Sequence, residues 1–437
     1  MGAVFVFLSA GLARAGGPNR DPGQHGGVRV ASTEKAATFR DVFRDAEFRA
    51  VWAADLLSVA GDQVTRVALS VLVYQRTHSA ALTALTYALT FLPALAGPLL
   101  AGLADRYSRR NVMIVTNTAR ALLVAVMAIP DIPLPPLYAL LIVVQLMAAP
   151  HDAARGAMLA DILDGDRLVV GNSARNVTNQ LAQMVGFASG GGVAALVNPY
   201  VALAIDAATF ALAATFVAVG VRPRKAAAAS TSAGGPSLWE STRDGLRLIA
   251  SDGRLRVLAT LAWMIGLSVV PEGLAVPYAQ QIGTSEATVG LLLAADPLGM
   301  AVGAFVLARF VRPDRRVRLM GPLAAAAGIP LLLCLARPGL VVSMVLFAAC
   351  GACAAYLVVV GAVYARIVPD EVRGQAMGLY LSGVLASQGV AIALTGILAT
   401  RIGPAQTIAV AGLACLLIGG LAALAWRRHG GATEAVA

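Results

Sequence analysis

The chain has 437 residues, of which 58% are apolar and only 13% are charged. A soluble domain of this size needs a larger charged share on its surface, so the composition excludes an ordinary soluble protein and indicates a polytopic membrane protein. The formal net charge of +10 would suggest a nucleic-acid partner in a soluble chain. Here the arginines cluster between apolar runs, as in the inner loops of membrane proteins. We therefore expect the lipid bilayer as a partner and no nucleic acid.

The first residues have the short apolar core and small-residue end of a signal peptide, but no basic residue precedes that core. Cleavage would also place the start of the first span outside, against the distribution of arginines. We expect residues 1–38 to be a disordered cytoplasmic extension. An amphipathic interfacial helix should follow, with Phe39, Val42 and Phe43 on one side and Arg40 on the other.

Twelve apolar runs of about 18–25 residues come next, each long enough to cross a bilayer as a helix. These predicted spans 1 to 12 cover residues 50–74, 81–103, 111–130, 136–158, 174–196, 199–220, 255–280, 287–311, 317–335, 339–365, 374–397 and 403–426. Arginine-rich loops alternate with arginine-poor loops along the chain. Because the arginine-rich set faces the cytoplasm in most membrane proteins, both termini are expected there.

The longest interior connection, residues 221–254, begins with basic residues and continues through a tract rich in Ala, Ser, Gly and Pro. It divides the spans into six and six, and a basic loop follows the second span of each group. This organisation predicts an internal parallel repeat of two helical bundles, residues 39–220 and 255–427, joined by a cytoplasmic linker. Residues 428–437 are expected to form a tail.

Several ionisable residues fall inside the predicted spans, where a charge costs at least ~2.5–3.5 kcal/mol and faces a cavity or a partner. Asp55, Asp62 and Arg66 lie close to one stripe of span 1. Two interpretations of Asp62 remain open. It forms a structural pair with Arg66 four residues later, or it serves proton coupling or substrate contact.

Two carboxylates of the second half lie beside prolines. Asp296 precedes Pro297 in span 8, and Glu272 follows Pro271 in span 7. A proline frees backbone carbonyls from the helical ladder, so nearby polar side chains can line water-filled space. Asp296 and Glu272 are therefore proton-coupling candidates, together with Asp62 and Asp55. For Glu272, simple solvation near the outer surface is the alternative.

The remaining charges in the spans suggest smaller roles. Arg120 in span 3 is expected to neutralise an inner carboxylate or to bind an anionic ligand group. Asp206 in span 6 is expected to serve helix packing. His151 and Asp152, near the inner end of span 4, are expected to form a small gating cluster with Arg155.

Three segments carry a resemblance to a known family. They are LADRYSRR at residues 103–110, the span 1 stretch GDQVTRVALSVLVYQRTHSA at residues 61–80, and VPDEVRGQAMGLY at residues 368–380. The sequence resembles the major facilitator superfamily, and within it the bacterial drug and siderophore exporter branch. The resemblance implies an all-α polytopic membrane protein with twelve transmembrane helices in two six-helix bundles, which rock around a central cavity.

The same resemblance implies a latch at residues 103–110. Asp105 matches the aspartate that braces span 2 against the start of span 11, and the arginines after it match positions that pair with neighbouring carboxylates. Ala101 and Ser108 replace two glycines of the family pattern, so an altered latch is expected; an ordinary inner loop is the alternative. The full set of gating candidates is Asp105, Arg106, Arg109, Arg110, Arg155 and Arg373.

The resemblance further implies that spans 1, 4, 7 and 10 line the cavity. The substrate-cavity candidates are Arg66, Arg120, Gln145, Asp152, Trp263 and Tyr356. We expect a monomer in the bacterial inner membrane that exports small amphiphilic organic molecules in exchange for protons. Phe187 replaces a proline typical of drug antiporters, which weakens the prediction of export.

Three other functions are compatible with the sequence. A proton-coupled importer on the same fold and a transport-inactive membrane sensor are the alternatives, and a membrane-embedded enzyme is a remote third. Neither a catalytic motif nor a cofactor is expected. No metal site is expected either, since the four cysteines lie in predicted spans without zinc-like spacing.

Overall fold

The computed structural model describes residues 37–96, 107–224, 243, 247, 249–369 and 372–428. Every regular element in these ranges is a helix. Nine of the helical runs described are long and apolar enough to cross a membrane, and a shorter apolar run, Ala80–Ala96, borders residues 97–106. The protein is therefore a multi-pass, all-α membrane protein, and its helical runs are consistent with twelve spans.

The spans have the following bounds. Span 1 is Ala46–Thr77, span 2 contains Ala80–Ala88 and Leu92–Ala96, span 3 is Arg109–Met127, span 4 is Leu134–Leu146 with Ala148–Ile162, span 5 is Gly165–Leu196 and span 6 is Pro199–Gly220. Span 7 consists of Gly253–Trp263, Ile265–Ser268, Val270–Gly273 and Ala275–Gln281, and span 8 is Val289–Phe310. Span 9 contains Pro313–Ala326, Gly328–Leu333 and Cys334–Ala336, span 10 is Leu340–Ala354 with Tyr356–Ile367, span 11 is Arg373–Ile402 and span 12 is Pro404–Arg428.

Span 1 is longer than the apolar run that predicted it, because polar residues cap both of its ends. The Asp45 side chain accepts hydrogen bonds from the backbone N–H groups of Glu47 and Phe48, which are free at a helix start. At the other end, His78 adopts a left-handed conformation with φ 48° and closes the helix. Hydropathy cannot detect such ends, since the capping residues are polar.

A short helix, Phe39–Phe43, precedes span 1. Phe39 is exposed, but Val42 is completely buried and packs close to Gly171 of span 5. The segment therefore docks on the first bundle, which differs from the purely interfacial helix expected from its pattern. Residues 1–36 and most of the predicted linker lie outside the described residues, so the division into domains stays a prediction.

Ion pairs and hydrogen bonds identify the two ends of the helices. Glu47, at the start of span 1, pairs with Arg224, after span 6, at 2.6 Å. We call this the terminal end. The other end of the helices is called the opposite end. There, Arg76 donates to the carbonyl of Ile132 at 2.6 Å and to the hydroxyl of Tyr200 at 2.5 Å. The loops after spans 1, 3 and 5 therefore meet at one surface.

The first six spans pack mainly with each other, and so do the last six. Two clusters of buried apolar side chains lie wholly in the first half and two lie wholly in the second, while a fifth cluster crosses between the halves. The contacts between halves include span 2 against span 11 and span 5 against span 8. At the opposite end, the Gln75 amide donates to Glu286 at 2.5 Å. The halves are therefore joined towards the opposite end.

Glycines make the contact between spans 5 and 8 close. A Cβ added to Gly191 would lie 2.7 Å from Cα of Gly290, whereas a Cβ added to the adjacent Gly192 would meet no atom within 4 Å. Gly191→Ala is expected to push the two helix backbones apart and destabilise the protein by ~1–3 kcal/mol. Gly192→Ala should instead stabilise it by ~0.5–1 kcal/mol, because alanine is the better helix former.

Thermal unfolding of the two purified variants in detergent checks this prediction. The midpoint should fall for Gly191→Ala and stay level or rise for Gly192→Ala. Equal midpoints for both variants would show that the close approach of spans 5 and 8 does not contribute to stability.

Candidate functional site

Asp62 lies halfway along span 1 and forms an ion pair with Arg120 of span 3. Arg120 Nη2 donates to both carboxylate oxygens, at 2.8 and 3.0 Å, and the guanidinium stacks over the Phe210 ring at 4.1 Å. The Arg120 side chain is 4% exposed and that of Asp62 is 23% exposed. The interpretation that Asp62 pairs with Arg66 is wrong, because the neighbouring helix supplies the guanidinium.

A second carboxylate, Asp206, lies beside this pair on span 6. It is 1% exposed and accepts a hydrogen bond from the Thr65 hydroxyl at 2.5 Å. Asp62 and Arg120 both lie within electrostatic range of it. Asp206 thus joins spans 1 and 6, as packing would require, but it does so beside two charges.

Asp55 is the centre of a larger cluster near the terminal end. Its buried carboxylate pairs with Arg155 of span 4 and, at 3.4 Å, with Arg175 of span 5. Asn179 Nδ2 donates to the same carboxylate at 2.9 Å. Arg155 also pairs with the exposed Asp152 at 3.1 Å. The cluster therefore ties three spans of the first half together through one buried negative charge.

His151 is not part of that hydrogen-bonded cluster. Its ring is buried, and Nδ1 lies 3.1 Å from the Thr116 hydroxyl of span 3. The predicted group of His151, Asp152 and Arg155 is therefore divided. Asp152 and Arg155 share an ion pair, while His151 faces the neighbouring span.

Glu272 forms a polar link between the halves. The Tyr87 hydroxyl of span 2 donates to its carboxylate at 2.6 Å. Arg66 of span 1 lies within electrostatic range of both residues, and its guanidinium lies 5.0 Å from the centroid of the Phe91 ring. Glu272 is half-buried and is placed by the break in span 7 after Val269. It is therefore bound across the interface and is not merely solvated.

Asp296 is half-buried in span 8, beside Pro297. Gly351 of span 10 allows this position, since a Cβ there would lie 2.9 Å from Asp296 Oδ1. Glu272 lies within electrostatic range of Asp296. Among the described residues, neither carboxylate has an ion-pair partner within 4.0 Å. Two acidic groups and the single guanidinium of Arg66 therefore share this part of the interface.

Removing the Tyr87 hydroxyl should loosen the join between the halves. A hydrogen bond to a charged group contributes ~1.5–3 kcal/mol, so Tyr87→Phe should shift the population towards halves separated at the opposite end by roughly tenfold or more. Spin labels on cysteines introduced at Asp131 and Ser285, in a background without the native cysteines, report this distance by double electron–electron resonance.

Tyr278→Phe is the matched control for this measurement. The Tyr278 hydroxyl lies 3.0 Å from that of Ser343, and both residues belong to the second half. The control should therefore leave the distance distribution between the halves unchanged. A distribution for Tyr87→Phe that also matches the wild type would contradict the proposed link.

The gating candidates are described in part. Arg109 pairs with Asp161 and donates to the carbonyl of Ala157 at 3.1 Å, both in span 4. Arg110 donates to the carbonyl of Ala218 in span 6 at 2.5 Å. Both arginines therefore brace the terminal end of the first half. Arg373 is exposed and donates to the carbonyl of Val368 at 3.4 Å. Asp105 and Arg106 lie outside the described residues.

The remaining cavity candidates lie in spans 4, 7 and 10, and Trp263 and Tyr356 belong to one packed cluster. Gln145 is half-buried in span 4, and Trp263 is half-buried with its indole against Gly383 of span 11. Tyr356 is completely buried, and its hydroxyl donates to the carbonyl of Leu261 at 2.8 Å. The polar atom of Tyr356 thus binds the backbone of span 7, and its place in the cavity stays a prediction.

The sequence pattern does not single out several residues that the structure places in the site. Tyr87 lies in an uninterrupted apolar run, where a tyrosine gives no signal of its own. Thr65 and Thr209 look like ordinary helix residues. Arg175 and Asn179 could have been identified from the sequence. A basic and an amide side chain four residues apart in a predicted span indicate a buried polar partner.

Comparison with known proteins agrees with this architecture. The family model of the Major Facilitator Superfamily matches residues 51–276 and 258–435. No curated protein matches the sequence significantly. Among solved structures, a peptide transporter POT in complex with alafosfalin has a TM-score of 0.72 at 13% identity, covering 91% of this chain and 97% of the other.

Two further structures are similar in fold. The nucleoside transporter NupG has a TM-score of 0.68 at 13% identity, covering 88% of this chain and 99% of its own. A bacterial homologue of the human lysosomal transporter Spinster, in an inward-facing and occupied conformation, has a TM-score of 0.63 at 14% identity, with 90% and 98% covered. Together with the family model, which spans both halves, these matches lead to one conclusion. The chain belongs to the major facilitator superfamily.

Proposed function

We propose that this transporter exports small amphiphilic organic molecules across the bacterial inner membrane in exchange for protons. Both termini face the cytoplasm, and the protein works as a monomer. The observation that carries the proposal is the pair Glu272 and Asp296. These two half-buried carboxylates lie in spans 7 and 8 without an ion-pair partner among the described residues. A carboxylate held within a membrane domain without an ion-pair partner is suited to bind and release a proton.

The Tyr87–Glu272 hydrogen bond supports coupling of the proton to conformation. It joins the halves near the opposite end, at 2.6 Å. An ionised Glu272 accepts this bond as a charged group, and a protonated one accepts it more weakly. Loading a proton on Glu272 would therefore weaken the contact between the halves and favour the alternative state, which is what alternating access requires.

The exporter assignment rests on the resemblance of span 1 and of residues 103–110 to drug and siderophore exporters. The terminal end bears the arginines of the loops, which supports its placement in the cytoplasm. Since the described contacts between the halves include those at the opposite end, the substrate would enter this conformation from the cytoplasmic side.

Reconstitution in liposomes with an interior pH dye tests the proposal. Lipophilic cations, antibiotics and siderophore-like compounds are presented under an imposed pH gradient. Exchange predicts that a substrate accumulates on the acidic side while protons leave that side. Import by symport predicts accumulation on the alkaline side, and a sensor predicts no substrate-triggered proton flux with any compound.

A further inference from the structure

The carboxyl group of Asp206 is enclosed by spans 1 and 6. It is 1% exposed, and Thr65 Oγ1 donates to its Oδ2 at 2.5 Å. The backbone of span 1 covers it at Gly61, where any added Cβ would clash with Asp206 Oδ1 and Thr209 Oγ1. Asp206 therefore lies in a tight, buried site where its described hydrogen-bond partners are hydroxyl groups.

The Thr209 hydroxyl indicates which protonation state fits this site. Its oxygen lies 2.8 Å from the backbone carbonyl of Asp206 and 3.1 Å from Asp206 Oδ1. A hydroxyl has one proton to donate, and a threonine within a helix commonly gives it to a carbonyl of the preceding turn. The carbonyl is the nearer acceptor here. If Thr209 donates to it, a protonated Asp206 can complete the contact at Oδ1 by donating to the hydroxyl oxygen.

The charges around Asp206 lead to the same result. Asp62 from span 1 and Arg120 from span 3 are the charged groups that act on it among the described residues. Arg120 gives both of its described hydrogen bonds from Nη2 to Asp62, and among the described residues no cation lies within 4.0 Å of the Asp206 carboxyl group. One guanidinium neutralises one carboxylate. A second negative charge buried at the same place would be strongly unfavourable, so the cluster is neutral when it holds one proton.

We infer that Asp62 and Asp206 hold one proton between them and share Arg120, and that Asp206 carries this proton in the conformation described. On transfer, the O–H bond of Asp206 breaks, and the proton passes to the Asp62 carboxylate, so the cluster stays neutral. Arg120 then pairs with the newly ionised Asp206. The inference rests on the proposed proton exchange and adds a second proton site, in the first half, to that of Glu272 and Asp296.

Infrared difference spectroscopy of the full-length protein, in H₂O and in D₂O at neutral pH, detects the carbonyl stretch of protonated carboxyl groups without transport. Asp206→Asn should remove one such band. Asp62→Asn should remove the same band, because Arg120 is then free to pair with an ionised Asp206. Asp131→Asn is the control, since the Asp131 side chain is 95% exposed on a loop and asparagine tolerates its left-handed backbone.

Transport gives the second measurement. Asp206→Asn should reduce substrate-triggered proton flux in liposomes by roughly 100-fold, at the lower end of the effect of a positioned proton-transfer group. Asp131→Asn should transport like the wild type. A band that persists in Asp206→Asn or in Asp62→Asn would overturn the inference, and so would wild-type proton flux in a folded Asp206→Asn variant.

The infrared result also separates this inference from the proposed function. If the wild type shows no proton flux but the band disappears in Asp206→Asn, the proposed exchange fails while the shared proton remains. If Asp206→Asn does not fold, the band in Asp62→Asn decides alone: its loss supports the shared proton, and its persistence contradicts it.

Discussion

Asp296→Asn is expected to lower substrate-triggered proton flux by roughly 10²–10⁴-fold, the range found when a positioned proton-transfer group is removed. Asparagine has nearly the shape of aspartate but cannot release a proton at physiological pH. Because Asp296 is half-buried and forms no ion pair with a described residue, its replacement should leave no cation unpaired. The substitution should therefore reduce proton flux without lowering the stability of the fold.

The measurement is the interior-pH assay in liposomes, with the thermal midpoint of each variant recorded beside it. Asp296→Glu keeps the carboxyl group and should retain part of the flux, although Gly351 leaves little room beside the longer side chain. Wild-type flux in Asp296→Asn would show that the coupled proton binds at another residue. Partial flux in Asp296→Glu beside a loss in Asp296→Asn would assign the effect to the carboxyl group.

Asp55→Asn is expected to give the largest loss of stability, ~3–5 kcal/mol, because removal of one partner leaves buried charges without compensation. Asp55 is 2% exposed and is the shared partner of Arg155 and Arg175. An amide oxygen can still accept a hydrogen bond, but it cannot offset two positive charges. Thermal unfolding in detergent should show a marked fall of the midpoint.

Asp152→Asn is the matched control for this prediction. Asp152 pairs with the same Arg155, at 3.1 Å, but its side chain is 59% exposed. Water screens such a pair, so its loss should cost only ~0–1 kcal/mol. Similar midpoints for Asp55→Asn and Asp152→Asn would refute a structural role for the buried carboxylate.

The sequence predicts the helices well because the bilayer imposes a simple rule on them. The long apolar runs correspond to helical runs in the described residues, and Pro271 in span 7 lies where that span is broken into short helices. Errors arise at helix ends, where capping residues such as Asp45 are polar. They arise again where a helix is broken, because several short helices can share one apolar run.

The contacts within the site could not be predicted in the same way. Arg120 lies 58 residues from Asp62, and no local pattern selects it over Arg66, which is four residues away in the same helix. The sequence also does not show in which direction a side chain points, and Tyr356 is an example. A tyrosine in span 10 can face a cavity or bind the backbone of span 7, and only the packing of the two helices decides between them.

The ion pairs of Asp55, Asp62, Glu47 and Asp161 each join residues of the same half. The described links between the halves are of another kind, namely a shared cluster of buried apolar side chains, close backbone contacts at glycines, and hydrogen bonds such as those of Gln75 and Tyr87. Parting the halves therefore does not require any of these four carboxylates to leave its arginine. Each half can therefore move as one rigid unit. The contacts that must change are those between the halves, while the ion pairs that stabilise each half stay intact.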